Sequence, residues 1–232
     1  MSKKQYFAIL DTETTVADTV ADFAIIICDR NGNIVNQCAV LIAQEYQNHE
    51  LFYDKNAKGL WSREYAKQKR AGYDAMLQTG IRTLASVNAV NRWIAKAIGQ
   101  YNPTLTAYNL AFDTAKCANT LIDLTGFQSR FCLWQAAVGN ICNKKAFRQF
   151  CVENHQFNKV TEHGNMTFIT GAECVSGYLN NAMIAEPHTA LEDAVYFELP
   201  ILVNILKKKN WRDNIVPYNW KNFQVKDNFV AK

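Results

Sequence analysis

The chain of 232 residues has no run approaching the ~20 consecutive apolar residues that a membrane-spanning helix needs. Its opening Met1-Ser2-Lys3-Lys4 leads straight into a strand-like run, with no apolar signal core and no small-residue cleavage site. A soluble protein of the cytoplasm is the expectation. Seven cysteines, at 28, 38, 117, 132, 142, 151 and 174, are odd in number and include no C-x-x-C pair. That argues against a disulfide framework and for reduced, mostly buried thiols. Cys142, Cys151, His155 and His163 likewise lack the close pair of a structural zinc site, so zinc is not expected. No segment repeats and no tract is of low complexity, which excludes solenoids and arrays.

What is present suffices for one substantial core, since 49% of the residues are hydrophobic. Net charge is +4, with one basic cluster at Lys67, Lys69 and Arg70 and another at Lys207-Lys208-Lys209. On composition alone such clusters read as solvated faces, and phosphate tracking is the lesser reading.

Three β-like runs open the chain, at about 5–11, 22–29 and 34–43. The last two are joined by Asp29-Arg30-Asn31-Gly32-Asn33, a hairpin turn centred on Asn-Gly, so an antiparallel meander is expected. An excursion at about 44–83 is polar, basic and aromatic, with Phe52, Tyr53, Trp61, Tyr65 and Tyr73. It is too long for a bare loop, and its aromatics read as lid or core packing before they read as stacking platforms for bases. Leu84, Val87, Val90, Ile94 and Ile98 recur at spacings of three and four, which predicts a helix over about 84–99. Asn102-Pro103 ends it, and Thr104 to Tyr108 reads as the next strand. A second amphipathic helix is predicted from near Phe112 to before Gly126. A short strand is expected within 127–133, then helices to about 155 and over 171–183. A long helix is predicted over about 189–208, kinked or split by Pro200. The pattern is α/β: a mixed sheet, antiparallel meander first and parallel strands after, flanked by helices. One domain spans 1–210, and a tail over 211–232, with Trp220, Phe223 and Phe229, should dock on it.

Chemistry enters at the end of the first strand. Asp11 and Glu13, two apart on a strand, leave from the same face. Two carboxylates held there about 4 Å apart repel by roughly 4 kcal/mol at an intermediate dielectric. A divalent cation is the commonest offset. In Ala107-Tyr108-Asn109-Leu110-Ala111-Phe112-Asp113 a strand is followed by a tight turn, and Asp113 arrives as the next helix opens. Taken singly, it reads as a helix-capping acid. In Glu186-Pro187-His188-Thr189-Ala190-Leu191-Glu192-Asp193-Ala194, Thr189 is placed to cap a helix, with Glu192 completing a capping box. His188 would then stand just outside that helix and Asp193 in its first turn. Read alone, they are equally an exposed loop histidine and an acid complementing the helix dipole.

Together the three segments resemble the DEDDh branch of the 3′→5′ exonucleases, a superfamily of ribonuclease-H-like fold. Asp11 and Glu13 match its D-x-E motif. Asn109, Phe112 and Asp113 match His/Asn-x-x-Phe-Asp. His188, Ala190, Asp193 and Ala194 match H-x-A-x-x-D-A. The motifs occur in order and bracket most of the span from 6 to 208. The glycine often seen after the first motif is Val16 here, and Cys132-Leu133-Trp134 stands where an Asp-Thr pair is frequent.

The resemblance implies that Asp11, Glu13, Asp113 and Asp193 hold two Mg²⁺ or Mn²⁺ ions, and that His188, free of the metals, is the general base. It also implies contacts from Thr12, Thr14, Thr15 and Asn109 to the terminal nucleotide. The partner is then the 3′ end of a single strand, DNA before RNA, released as nucleoside 5′-monophosphates. An exoribonuclease, an idle nucleic-acid-binding module and a polymerase-docking subunit are the alternatives. Tyr196, three positions past Asp193, is the nearest other candidate base.

Overall fold

The computed structural model describes residues 4–159 and 166–225. Three strands, β1 (Tyr6–Thr14), β2 (Val20–Asp29) and β3 (Ile34–Ile42), pair antiparallel in succession. The β2–β3 turn is the expected one, with Gly32 at φ +88 in the left-handed region that glycine enters freely. A two-residue strand, β4 (Leu84–Ala85), adds parallel to β3. On the other side of β1, β5 (Thr104–Ala107) and β6 (Arg130–Cys132) add parallel, giving the order β4-β3-β2-β1-β5-β6. The protein is therefore α/β, a six-stranded mixed sheet of meander and parallel strands between helices, and this architecture is compatible with a ribonuclease-H-like fold.

Residues of β1 and β2 alternate between two apolar cores. Phe7, Ile9, Ile26 and Cys28 face one, and Ala8, Leu10, Ile25 and Ile27 face the other. A strand covered on both faces reads as a continuous apolar run, as these do. The excursion supplies α1 (Ala43–Asn48), a single 3₁₀ turn at Gly59–Trp61 and α2 (Arg63–Thr79). Next come α3 (Val87–Tyr101), α4 (Leu110–Asn119), α5 (Leu133–Ala137), α6 (Lys145–Glu153), α7 (Ala172–Asn180), α8 (Ala190–Asp193) and α9 (Leu199–Leu206). A small hairpin of β7 (Phe157–Lys159) and β8 (Met166–Phe168), which the sequence pattern did not announce, stands apart from the main sheet. Among the described residues no helix is long and apolar enough to cross a membrane.

Three predicted boundaries shift. Leu84 belongs to β4 and not to a helix, because Ser86 caps α3 by accepting the Ala89 N–H at 3.3 Å. The helix after Asn109 starts at Leu110 and stops at Asn119, where Leu121 takes φ +62. The helix expected over 189–208 is three pieces, α8, a π-helical turn over Ala194–Glu198, and α9 with Pro200 in its first turn.

The tail is seated through Trp211, whose ring centroid lies 4.8 Å from that of Phe131, and through Tyr218, stacked on Trp134 at 5.0 Å. Phe223 is also buried; Phe229 lies outside the described residues. A Cβ on Gly139 would stand 1.8 Å from the Asn214 carbonyl oxygen, so the tail lies directly on the backbone of the π-helical turn Val138–Cys142. Gly139→Ala is therefore expected to destabilise by about 3 kcal/mol, which in a chain this long lowers Tm by roughly 6–12 °C. A thermal melt with wild-type Tm would show that the tail does not rest there.

Candidate active site

The sheet opens a site at the carboxyl end of β1. From β1 the chain runs one way through β2, β3 and β4, and returns on the other side to β5, so the order reverses between β1 and β5. Ligands of open α/β sheets bind outside strand ends at such reversals. Pairing with β5 covers only Phe7 to Ile9, whereas β2 accompanies β1 to Thr14. The last residues of β1 thus overhang their neighbour. By strand alternation Asp11 and Glu13 continue the face begun by Phe7 and Ile9, beyond the apolar core.

Two turns of unusual backbone bring the other acids to that overhang. Asn109 takes φ 82 and ψ 56 between β5 and α4, a left-handed conformation that asparagine tolerates better than most residues. It delivers Asp113 in the first turn of α4, where Thr12 donates its hydroxyl to Asp113 Oδ1 at 2.9 Å. His188 takes φ +54 just before α8, and Asp193 follows at the end of α8.

The expected capping box at α8 does not form. Thr189 occupies the N-cap position without a side-chain cap bond, and Glu192 pairs instead with Arg82. The cap comes from β2: Asp22 accepts the Ala190 N–H and the Tyr73 hydroxyl, each at 2.9 Å, with Arg82 Nε 3.5 Å from its other oxygen. An aspartate caps at least as well as a threonine, and this one is fully buried with Arg82 buried beside it.

Asp11, Glu13, Asp113, His188 and Asp193 line one cleft of about 420 Å³, with Thr12, Thr14 and Asn109 also on its wall. Within it, ligand atoms of Glu13, His188 and Asp193 lie within 4.8 Å of one another, close enough to share an ion. His188 thus stands beside two of the acids, although the resemblance has it free of the metals. Thr15 does not reach the cleft. It is fully buried, and its hydroxyl sits 2.7 Å from that of Thr19 and accepts the Ala17 N–H, closing the turn after β1. Tyr196 does not reach it either, being 66% exposed on the π-helical turn.

Three side chains escaped the sequence reading. Lys69, grouped there with a solvated face, enters the cleft and pairs with Glu13 at 2.8 Å. Its spacing from buried Ala66 and Tyr73, three before and four after, puts it on the inward face of α2 and could have shown this. Glu198 is 3% exposed and lines the cleft, as does the half-buried Glu186. The excursion forms one wall, with Phe52 and Trp61 partly exposed and the Trp61 ring 5.8 Å from that of His188. The cysteines weighed for zinc, Cys142 and Cys151, are buried in the apolar core while His155 is exposed, and His163 lies outside the described residues.

Burial, more than mutual repulsion, governs the acids. It raises Asp11, Glu13 and Glu198; it pushes Asp113 up to about 7 against the Thr12 hydrogen bond, and Asp193 up to about 8 with help from Glu186. It lowers His188, with Lys69 adding to the effect, so the imidazole is neutral at pH 7. Acids raised in the folded state hold protons that the unfolded chain gives up, so their stabilising effect is complete below about pH 4 and is lost as pH climbs through 7 and 8. In chelator, Tm is expected to fall by roughly 5 °C or more between pH 5.5 and 8.5, and a divalent cation should reverse the fall. A flat melt profile in chelator would contradict the burial of these acids. In comparison with known proteins, no family model and no curated protein sequence matches this chain.

Proposed function

We propose that the chain is a divalent-cation-dependent 3′→5′ exonuclease of the DEDDh type, acting on single-stranded 3′ ends, DNA before RNA. The observation that carries this reading is convergence. Acids and a histidine from three segments far apart in sequence line one cleft, with buried oxygens left over. Among the described residues, Asp193 Oδ1 and Glu198 Oε2 are buried without hydrogen-bond partners. Such an atom costs roughly 1–3 kcal/mol unless something fills its need. A hard cation with oxygen ligands suits that donor set, and carboxylate oxygens of Glu13 and Asp193 lie within 4.8 Å of each other, with a ring nitrogen of His188 beside them.

Asp11, Glu13, Asp113 and Asp193 are the residues that would hold two Mg²⁺ or Mn²⁺ ions. When bound, such ions supply Lewis-acid stabilisation of the phosphoryl oxygens and of the leaving 3′-oxygen. Thr12 orients Asp113 by its hydrogen bond, and the Asp22 cap fixes the start of α8, the four-residue helix that ends on Asp193. His188, neutral at pH 7, takes the proton of the attacking water. Thr14 and Asn109 face the nucleotide, and the exposed rings of Phe52, Trp61 and Phe112 offer stacking surface for a terminal base.

The test is digestion of matched DNA and RNA oligonucleotides, single- and double-stranded, labelled at either end, with Mg²⁺ or Mn²⁺. A 3′ label should leave at once as mononucleotide, and a 5′-labelled strand should shorten progressively. Short internal fragments appearing first would point to an endonuclease, and no cleavage with either metal would sink the reading.

A further inference from the structure

Glu198 is an acid that neither the sequence motifs nor the mechanism above uses. It lies in the cleft, 3% exposed, where Oε1 accepts the Tyr108 N–H at 3.1 Å and Oε2 is buried with no partner among the described residues. The hydrogen bond to Tyr108 explains one oxygen only. An amide would serve that N–H as well and would not set a further carboxyl among acids. Of the four carboxylates that bear on Asp11, Glu198 does so most strongly, ahead of Asp113, Glu13 and Asp193.

How the chain puts it there is also visible. Five ordinary helical steps from Asp193 would turn Glu198 about 140° away. The intervening turn, Ala194–Glu198, is π-helical, and one residue extra in a turn leaves the phase of about four steps, or some 40°. Pro200, which lacks the N–H to bond back to Tyr196, favours that widening.

On the exonuclease reading, we propose that Glu198 is a fifth carboxylate of the cation centre, ligating a divalent ion through Oε2. Charge then balances: Asp11, Glu13, Asp113, Asp193 and Glu198 stand against two divalent ions and the ammonium of Lys69. Glu186, half-buried on the cleft wall before His188, stands outside this count.

The experiment is Mn²⁺ titration of the full chain, followed by the electron paramagnetic resonance of free Mn²⁺, with thermal melts in chelator alongside. Wild type should bind two ions. Glu198→Gln keeps an acceptor for Tyr108, so it should melt at or above wild type in chelator. It should nevertheless lose one ion or bind it at least about 10–100-fold more weakly, which is what removing even a group that only supports a ligand costs. Glu198→Asp, which keeps the charge but withdraws the oxygen by one methylene, should weaken binding less. Wild-type stoichiometry and affinity in both variants would overturn the assignment and leave Glu198 as a protonated cap on Tyr108. Asp113→Asn is the control. If it loses Mn²⁺ while the Glu198 variants do not, only the assignment fails. If wild type itself binds no Mn²⁺, the exonuclease reading fails with it.

Discussion

Asp113→Asn is expected to lower kcat by at least about 10³-fold, equivalent to roughly 4 kcal/mol of lost charge stabilisation, and to do so without unfolding the protein. The amide oxygen can still accept the Thr12 hydroxyl that holds the native carboxylate at 2.9 Å. Burial pushes Asp113 up to about 7, so above that pH the cation-free wild type carries an ionised carboxylate where the fold favours a neutral group. The variant should therefore melt higher than wild type in chelator at pH 8.5, and lower than wild type once Mg²⁺ or Mn²⁺ is present. Asp11→Asn should behave alike, since Asp11 is raised by burial and by four surrounding acids. A site built for stability would show the reverse order in chelator. Activity kept in either variant, or in wild type with chelator, would sink the two-cation reading.

How far the sequence foretold this site depends on which interactions are local. The meander was legible because its turn carries Asn-Gly and its strands are unbroken apolar runs, and both are properties of a few neighbouring residues. Of the motif residues only Asp11 and Glu13 paired by strand period; Asp113, His188 and Asp193 read singly as ordinary helix-start chemistry, and it was the resemblance of the three segments to one family that grouped them. What stayed hidden depends on distant partners. The threonine cap of α8 reads correctly as local chemistry, yet Asp22, more than 160 residues earlier, takes its place and leaves Glu192 to Arg82. Lys69 looks like one of several surface cations until Ala66 and Tyr73 are seen to be buried on its side of α2. Glu198 is invisible to a count of 3.6 residues per turn because the turn that carries it is π-helical. Thr15 fails for the opposite reason. It adjoins the motif in sequence, but β1 has ended and the chain has already turned, so its hydroxyl serves that turn.

His188 separates the proposed mechanism from other uses of the same acids. Replacing it removes the group that the proposed mechanism uses to take the water's proton, so kcat should fall by on the order of 10²–10⁴. The backbone complicates the choice of variant, because His188 sits at φ +54 and most residues are strained there. Asparagine is among the best tolerated in that region, so His188→Asn should fold as wild type while His188→Ala carries a small stability loss. Both should lose the same activity if the proton is what matters. At saturating Mn²⁺, wild-type rate should rise with pH through a group below the usual imidazole value of about 6.5, since burial and Lys69 both disfavour the charged ring. That limb should vanish in both variants, with partial recovery at high pH where hydroxide is abundant. Tyr196 will not substitute, being turned outward on the π-helical turn and 66% exposed. Mn²⁺ affinity decides the remaining point, because Glu13, His188 and Asp193 stand within 4.8 Å of one another. Unchanged affinity with lost activity makes His188 the base. Affinity and activity falling together make it a ligand, and the DEDDh assignment then fails, because that branch is defined by a histidine free of the metals.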